Sequence, residues 1–109
     1  MDNKVYVMYY HYAMTDGNDK CTSGHSIKLF STHQRAYLAF MNLIHNELTD
    51  WSEIIKNIKI KNDHVEANIP NDYTMTSTFE PKSGTFCLYE KNNFEKNHLY
   101  ISFDAKPIL

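Results

Sequence analysis

The ten residues Val5-Tyr6-Val7-Met8-Tyr9-Tyr10-His11-Tyr12-Ala13-Met14 are β-branched and aromatic, a composition that fits a pleated, half-buried surface and predicts a strand. Successive side chains of a strand point to opposite faces, so Val5, Val7, Tyr9, His11 and Ala13 share one face and Tyr6, Met8, Tyr10 and Tyr12 the other. Both faces are at least partly apolar, and a strand of that kind has to be embedded in a sheet. Thr15 to Gly24 collects Asp, Asn, Ser, Thr and Gly, which predicts a surface loop. Ile27-Lys28-Leu29-Phe30 then resumes as strand, and the expected product is a long-looped hairpin.

Ser31 and Gln34 have the spacing of a capping box, so a helix is expected to start near Thr32 and run over about 32–49. Ala36, Tyr37, Phe40, Leu43, Ile44 and Leu48 recur at three- and four-residue spacing and form one stripe to be buried against the sheet. Gln34, Asn42, Asn46 and Glu47 lie opposite. Asp50 and Glu53 repeat the capping spacing, and Trp51, Ile54, Ile55 and Ile58 supply the apolar side of a short second helix or a continuation of the first.

From Ile58 the period changes to two. Ile58 and Ile60, then Val65, Ala67 and Ile69, flank the turn-prone Asn62-Asp63 and predict a hairpin. Tyr73, Met75, Ser77 and Phe79 alternate again, Pro81-Lys82-Ser83-Gly84 reads as a turn, and Phe86–Glu90 and His98–Asp104 read as a closing pair of strands. The order strands, helix, strands predicts an α+β fold, a mostly antiparallel sheet with the helix packed on one face. At 109 residues the chain is expected to be a single domain over 1–109. No apolar run reaches the ~18–20 residues a spanning helix needs, no signal peptide is visible at the amino terminus, and the expected compartment is the cytoplasm.

Catalytic and metal chemistry find weak footing. Cys21 and His25 have a ligand-like gap, but a structural zinc site wants four ligands in two close pairs, whereas the second thiol is Cys87 and the other histidines stand singly. Cys87 and His98 share the closing hairpin, yet a small thiol among Phe86, Leu88 and Tyr89 fits packing better than nucleophilic attack. Asp16 with Asp19, or Glu66 with Asp72, lack the spacing of a calcium loop. The glycines Gly17, Gly24 and Gly84 never gather in one loop, so no phosphate cradle can be written. No cofactor or metal is expected, and no enzymatic activity.

Nucleic-acid binding has one argument for it, the tyrosines Tyr6, Tyr10 and Tyr12 in a row on which bases could stack. Against it stand the single arginine Arg35 and a formal net charge of -2, too little positive field to neutralise phosphates. The same tyrosine row suits a protein-contact surface, because tyrosine buries large area at small entropic cost. It also suits a core with hydroxyls at its rim, and the residue types alone leave both open.

The pattern Lys4-Val5-Tyr6-Val7-Met8-Tyr9-Tyr10-His11, a polar loop, then Ile27-Lys28-Leu29-Phe30-Ser31-Thr32 entering a helix with Arg35-Ala36-Tyr37 resembles small domains of bacteriophages and their low-GC Gram-positive hosts, over the first half of the chain. The wealth of Asn, Lys, Ile and Tyr is similar to that of proteins from AT-rich genomes. The resemblance implies a phage or mobile-element accessory protein, of which host-defence inhibitors such as anti-CRISPR proteins are one class, and it carries no catalytic residue over to this chain. The resulting expectation is a non-enzymatic binding protein that occupies the surface of a host protein or ribonucleoprotein, with Tyr6, Tyr10, Tyr12, Asp16, Asp19, His25, Lys28 and Arg35 as contact residues. An exposed edge strand would make a homodimer easy. The competing expectation is nucleotide or nucleic-acid sequestration, with bases on the same tyrosines and a phosphate on Lys28 or Arg35.

Overall fold

The computed structural model describes residues 4–15, 20–61, 64–93 and 95–107. Seven strands and one helix occur among them: β1 (Lys4–Thr15), β2 (Cys21–Phe30), α1 (His33–Asp50), β3 (Lys56–Ile60), β4 (Val65–Asn68), β5 (Tyr73–Phe79), β6 (Gly84–Glu90) and β7 (His98–Pro107). The fold is α+β, with a five-stranded sheet in the order β2-β1-β7-β6-β5 and a separate two-stranded sheet of β3 and β4. All pairings are antiparallel.

The aromatic run forms β1, and its length lets it pair along both sides, with β2 from Tyr6↔Phe30 to Thr15↔Cys21 and with β7 from Lys4↔Pro107 to Ala13↔His98. The expected loop over Thr15–Gly24 is shorter than its composition suggests. Cys21, Thr22, Ser23 and Gly24 are strand residues of β2, because β1 supplies a full ladder of partners that outweighs their turn preference. Gly24 also has a positive reason to be there, since a Cβ on it would lie 2.6 Å from Cε1 of Tyr12, whose ring covers the glycine. Asp16, Gly17 and Asp19 lie outside the described residues.

Helix α1 is capped one residue later than the Ser31–Gln34 spacing predicts. Thr32 is the N-cap, in extended backbone, and its hydroxyl accepts from the Arg35 backbone N–H at 3.3 Å. Arg35 then stands where a capping box would place Glu or Gln, so the reciprocal half of the box is missing. The helix ends at Asp50 with Trp51 as its C-cap, and no second helix follows among the described residues. The backbone N–H groups of Ile54 and Ile55 both donate to the Trp51 carbonyl, at 2.9 and 2.8 Å, which makes one isolated turn before β3 begins. Burial explains the arrest: Trp51 and Ile55 are each 1% exposed, and the turn drives both into the core.

The alternation read from β1 sorts its residues by burial. Tyr6 and Met8 join a single core cluster with Ala36, Phe40, Ile44 and Leu48 of α1, Phe86 and Leu88 of β6, and Leu99, Ile101 and Phe103 of β7. Ring contacts tie helix to sheet, Phe40 to Phe103 with centroids 5.0 Å apart and Tyr37 to Phe103 at 6.1 Å. The predicted hairpin of 58–69 forms as β3 and β4 with Ile60 opposite Val65, and its turn residues Asn62 and Asp63 lie outside the described residues. Asn57, at φ 55°, sits in the register shift between Lys56 and Lys59. Asparagine is one of the few non-glycine residues that tolerate this conformation.

Candidate functional site

Because side chains alternate, the residues that do not face the core define the opposite side of the five-stranded sheet. Register places there Ser23, His25, Ile27 and Leu29 of β2, and Val7, Tyr9, His11 and Ala13 of β1. His98, Tyr100, Ser102, Asp104 and Lys106 of β7 follow, then Thr85, Cys87 and Tyr89 of β6. Of the large apolar residues exposed among those described, Tyr9, Ile27, Leu29 and Tyr100 all lie on this face, and Leu38 of α1 is the exception. Ile27 and Leu29 are 60% and 65% exposed, unusual values for adjacent same-face positions of one strand.

The face is shaped as well as apolar. The Tyr9 and Tyr100 rings meet edge to face with centroids 6.3 Å apart, and Tyr100 belongs to two adjoining hollows. One, of about 590 Å³, runs past Val7, Tyr9, Thr85 and Ser102. The other, of about 460 Å³, is lined by Cys87, Tyr89, His98 and Tyr100. The charged residues among the positions just named are Asp104 and Lys106, both toward the end of β7. Scarcity of charge at the centre with aromatic residues present is the composition that separates interface cores from ordinary surface.

Three histidines stand close together on this face. His11 and His98 are joined between Nδ1 and Nε2 at 2.5 Å, and His25 stands across from His11 in register. Burial, followed by the neighbouring His98 and His25, pushes His11 below the ordinary 6.5. An imidazole whose folded pKa lies below its unfolded one binds fewer protons when folded, so its contribution to stability falls as pH drops through 6.5 toward the lowered value. Titration of the His11 ring followed by NMR should therefore show a midpoint below 6.5, and a midpoint at or above 6.5 would mean that the ring is neither shielded nor crowded.

The residues singled out from sequence divide between the two sides. Tyr6 is core, 9% exposed, with its ring edge-on to His33 at 6.0 Å. Tyr10 and Tyr12 pack against the same core. Burial and a hydrogen bond to the Glu47 carboxylate of α1 hold the Tyr10 hydroxyl protonated far above its usual range. Lys28 pairs with Met8 and so lies on the core side of the edge strand, while Arg35 is exposed in the first turn of α1. His25 alone of the described set lies on the open face. The signal for the others was the alternation His98-Tyr100-Ser102 against Leu99-Ile101-Phe103, which assigns the polar set to the side opposite the core.

The weaker chemical candidates are also placed. Cys21 and His25 are four residues apart along β2, about 13 Å at ~3.3 Å per residue, too far to share an ion. Cys87 and His98 do line one hollow, but burial raises the Cys87 thiol, the direction opposite to nucleophile activation. The Glu66 carboxylate is taken by His64 at 2.9 Å and Lys61 at 3.5 Å. No helix among the described residues is long and apolar enough to cross a membrane. Comparison with protein-family models, with curated proteins and with solved structures finds no match.

Proposed function

We propose that this chain is a non-enzymatic protein-binding module, and that α1 covers one face of the sheet so that the opposite face can receive a partner protein. The gathering of Tyr9, Ile27, Leu29 and Tyr100 on that face carries the reading. Apolar residues scattered singly over a surface are ordinary, whereas a contiguous exposed set marks an interaction site. The charge-poor centre favours a protein partner over a polyanion, since phosphate contacts need lysine and arginine. The tyrosines that were to stack bases, Tyr6, Tyr10 and Tyr12, turn instead toward the core.

A module of this kind acts by occupying a surface that another molecule needs. The role of a phage or mobile-element accessory protein that blocks or modulates a host macromolecule, a defence effector such as a CRISPR nuclease included, fits that mode of action. The test is capture of a partner from lysate of cells of the source organism by tagged wild-type chain and by the Ile27→Glu, Leu29→Glu double variant. Both positions are exposed, so the variant should keep the thermal midpoint of the wild type and lose the captured protein. Capture of the same protein in equal amount by folded variant, or an eluate that holds nucleic acid and no stoichiometric protein, would overturn the proposal.

A further inference from the structure

Three imidazoles cross the open face on three neighbouring strands, His25 of β2, His11 of β1 and His98 of β7. The His11 and His25 rings are 6.4 Å apart. The His11 and His98 rings are parallel to within 3°, with centroids 4.7 Å apart, and are joined edge to edge through Nδ1 of His11 and Nε2 of His98 at 2.5 Å. The strands fix this approach. His98 is the register partner of Ala13, two residues from His11 on the same face, and the small Ala13 side chain leaves the two rings room to meet.

A neutral imidazole carries one hydrogen and one lone pair, and moving the hydrogen to the other nitrogen relocates the lone pair. With His11 protonated at Nε2 and His98 at Nδ1, two lone pairs face each other across the gap between the rings and no net proton has to leave. Zinc binds imidazole nitrogen at about 2.0–2.1 Å in tetrahedral geometry, which puts two ligand nitrogens about 3.3 Å apart. The rings need to separate by less than ~1 Å from their present contact and each to turn by roughly 35° out of the N–N line to meet a tetrahedral ion, movements open to half-buried side chains on an open face.

We propose that His11 and His98 are the two protein ligands of an open divalent transition-metal site, with zinc as the reference ion. Among the described residues no group of three or more His, Cys, Asp or Glu could hold a metal ion. A tetrahedral ion held by these two nitrogens would keep two further positions for water or for a ligand brought by another molecule.

Zinc titration of the metal-free protein by calorimetry should give a saturable isotherm with one ion per chain. His11→Ala and His98→Ala should each abolish it, and His25→Ala should preserve it. Should either alanine variant fail to melt cooperatively, the wild type decides by NMR: the His11 and His98 ring resonances shift together on addition of zinc, while those of His33, His45 and His64 stay in place. Absence of saturable binding at millimolar zinc, binding that survives in folded His11→Ala and His98→Ala, or shifts confined to the other histidines would each overturn the proposal. These readouts require no protein partner, so they stand or fall separately from the binding function of the face.

Discussion

Phe40→Ala should cost about 3–5 kcal/mol of folding stability, the range for truncating a large buried aromatic side chain. Phe40 is 0% exposed and sits between two other rings, Phe103 at 5.0 Å and Phe79 at 5.5 Å. Those neighbours belong to different strands, and the ladders through β6 hold both, so the surroundings have little freedom to collapse into the vacated space. Domains of this size are stable by about 5–15 kcal/mol, so the substitution removes a large share of the total. Urea unfolding of wild type and variant gives the comparison directly, as a lower midpoint at unchanged slope. A loss below about 1 kcal/mol would show that Phe40 does not join helix to sheet, since that is less than burial of the side chain alone is worth.

The second large effect is expected from adding atoms rather than removing them. A Cβ at Gly84 would lie 2.9 Å from Cε1 of Phe103 and 2.9 Å from Cε2 of Phe40. The backbone of Gly84 has no left-handed conformation, so the requirement is for space alone. Gly84→Ala opposes two terms: restricting the unfolded chain favours the variant by about 0.4–1 kcal/mol, and overpacking a fixed core costs about 1–3 kcal/mol. The steric term wins because neither ring is the free end of a flexible side chain. Gly84→Val adds two further carbons and should cost about 3 kcal/mol or more. Thermal midpoints falling in the order wild type, alanine, valine would bear this out; an alanine variant more stable than wild type would mean that the two rings can move apart.

The parts of the fold written in local periodicity were legible. Helix α1 shows its stripe at Ala36, Phe40, Ile44 and Leu48, and β5 and β7 show theirs by alternation, because burial selects one side chain in two or one in three to four wherever an element has a single covered face. The Cys21–Gly24 segment was not legible, since its strand character comes from β1, a partner outside the local window. The short second helix, or continuation of the first, expected after Asp50 does not form, for a related reason: the apolar spacing of Trp51, Ile54 and Ile55 is satisfied by one turn that buries Trp51 and Ile55.

The open face was half legible. Sequence alternation separates Tyr9 and His11 from Tyr6, Tyr10 and Tyr12, but both sets are apolar enough to be covered, and what tells them apart is that Tyr6 joins the core cluster with Tyr10 and Tyr12 packed against it. The meeting of His11 with His98 depends on register between β1 and β7, and no spacing within either strand carries that information.

The strand order sets a condition on how this protein is made. β7 lies between β1 and β6, so the middle of the sheet is completed by a strand that leaves the ribosome after every other strand of that sheet. Until His98–Pro107 emerges, β1 has β2 as its neighbour and an unsatisfied ladder on its other side, with its aromatic residues uncovered. Joining segments so distant along the chain requires closing a long loop before any contact rewards it, which slows folding. The interval between synthesis of β1 and arrival of β7 is thus the period of greatest exposure to aggregation, and nascent chains arrested before residue 98 should be the form most dependent on chaperones.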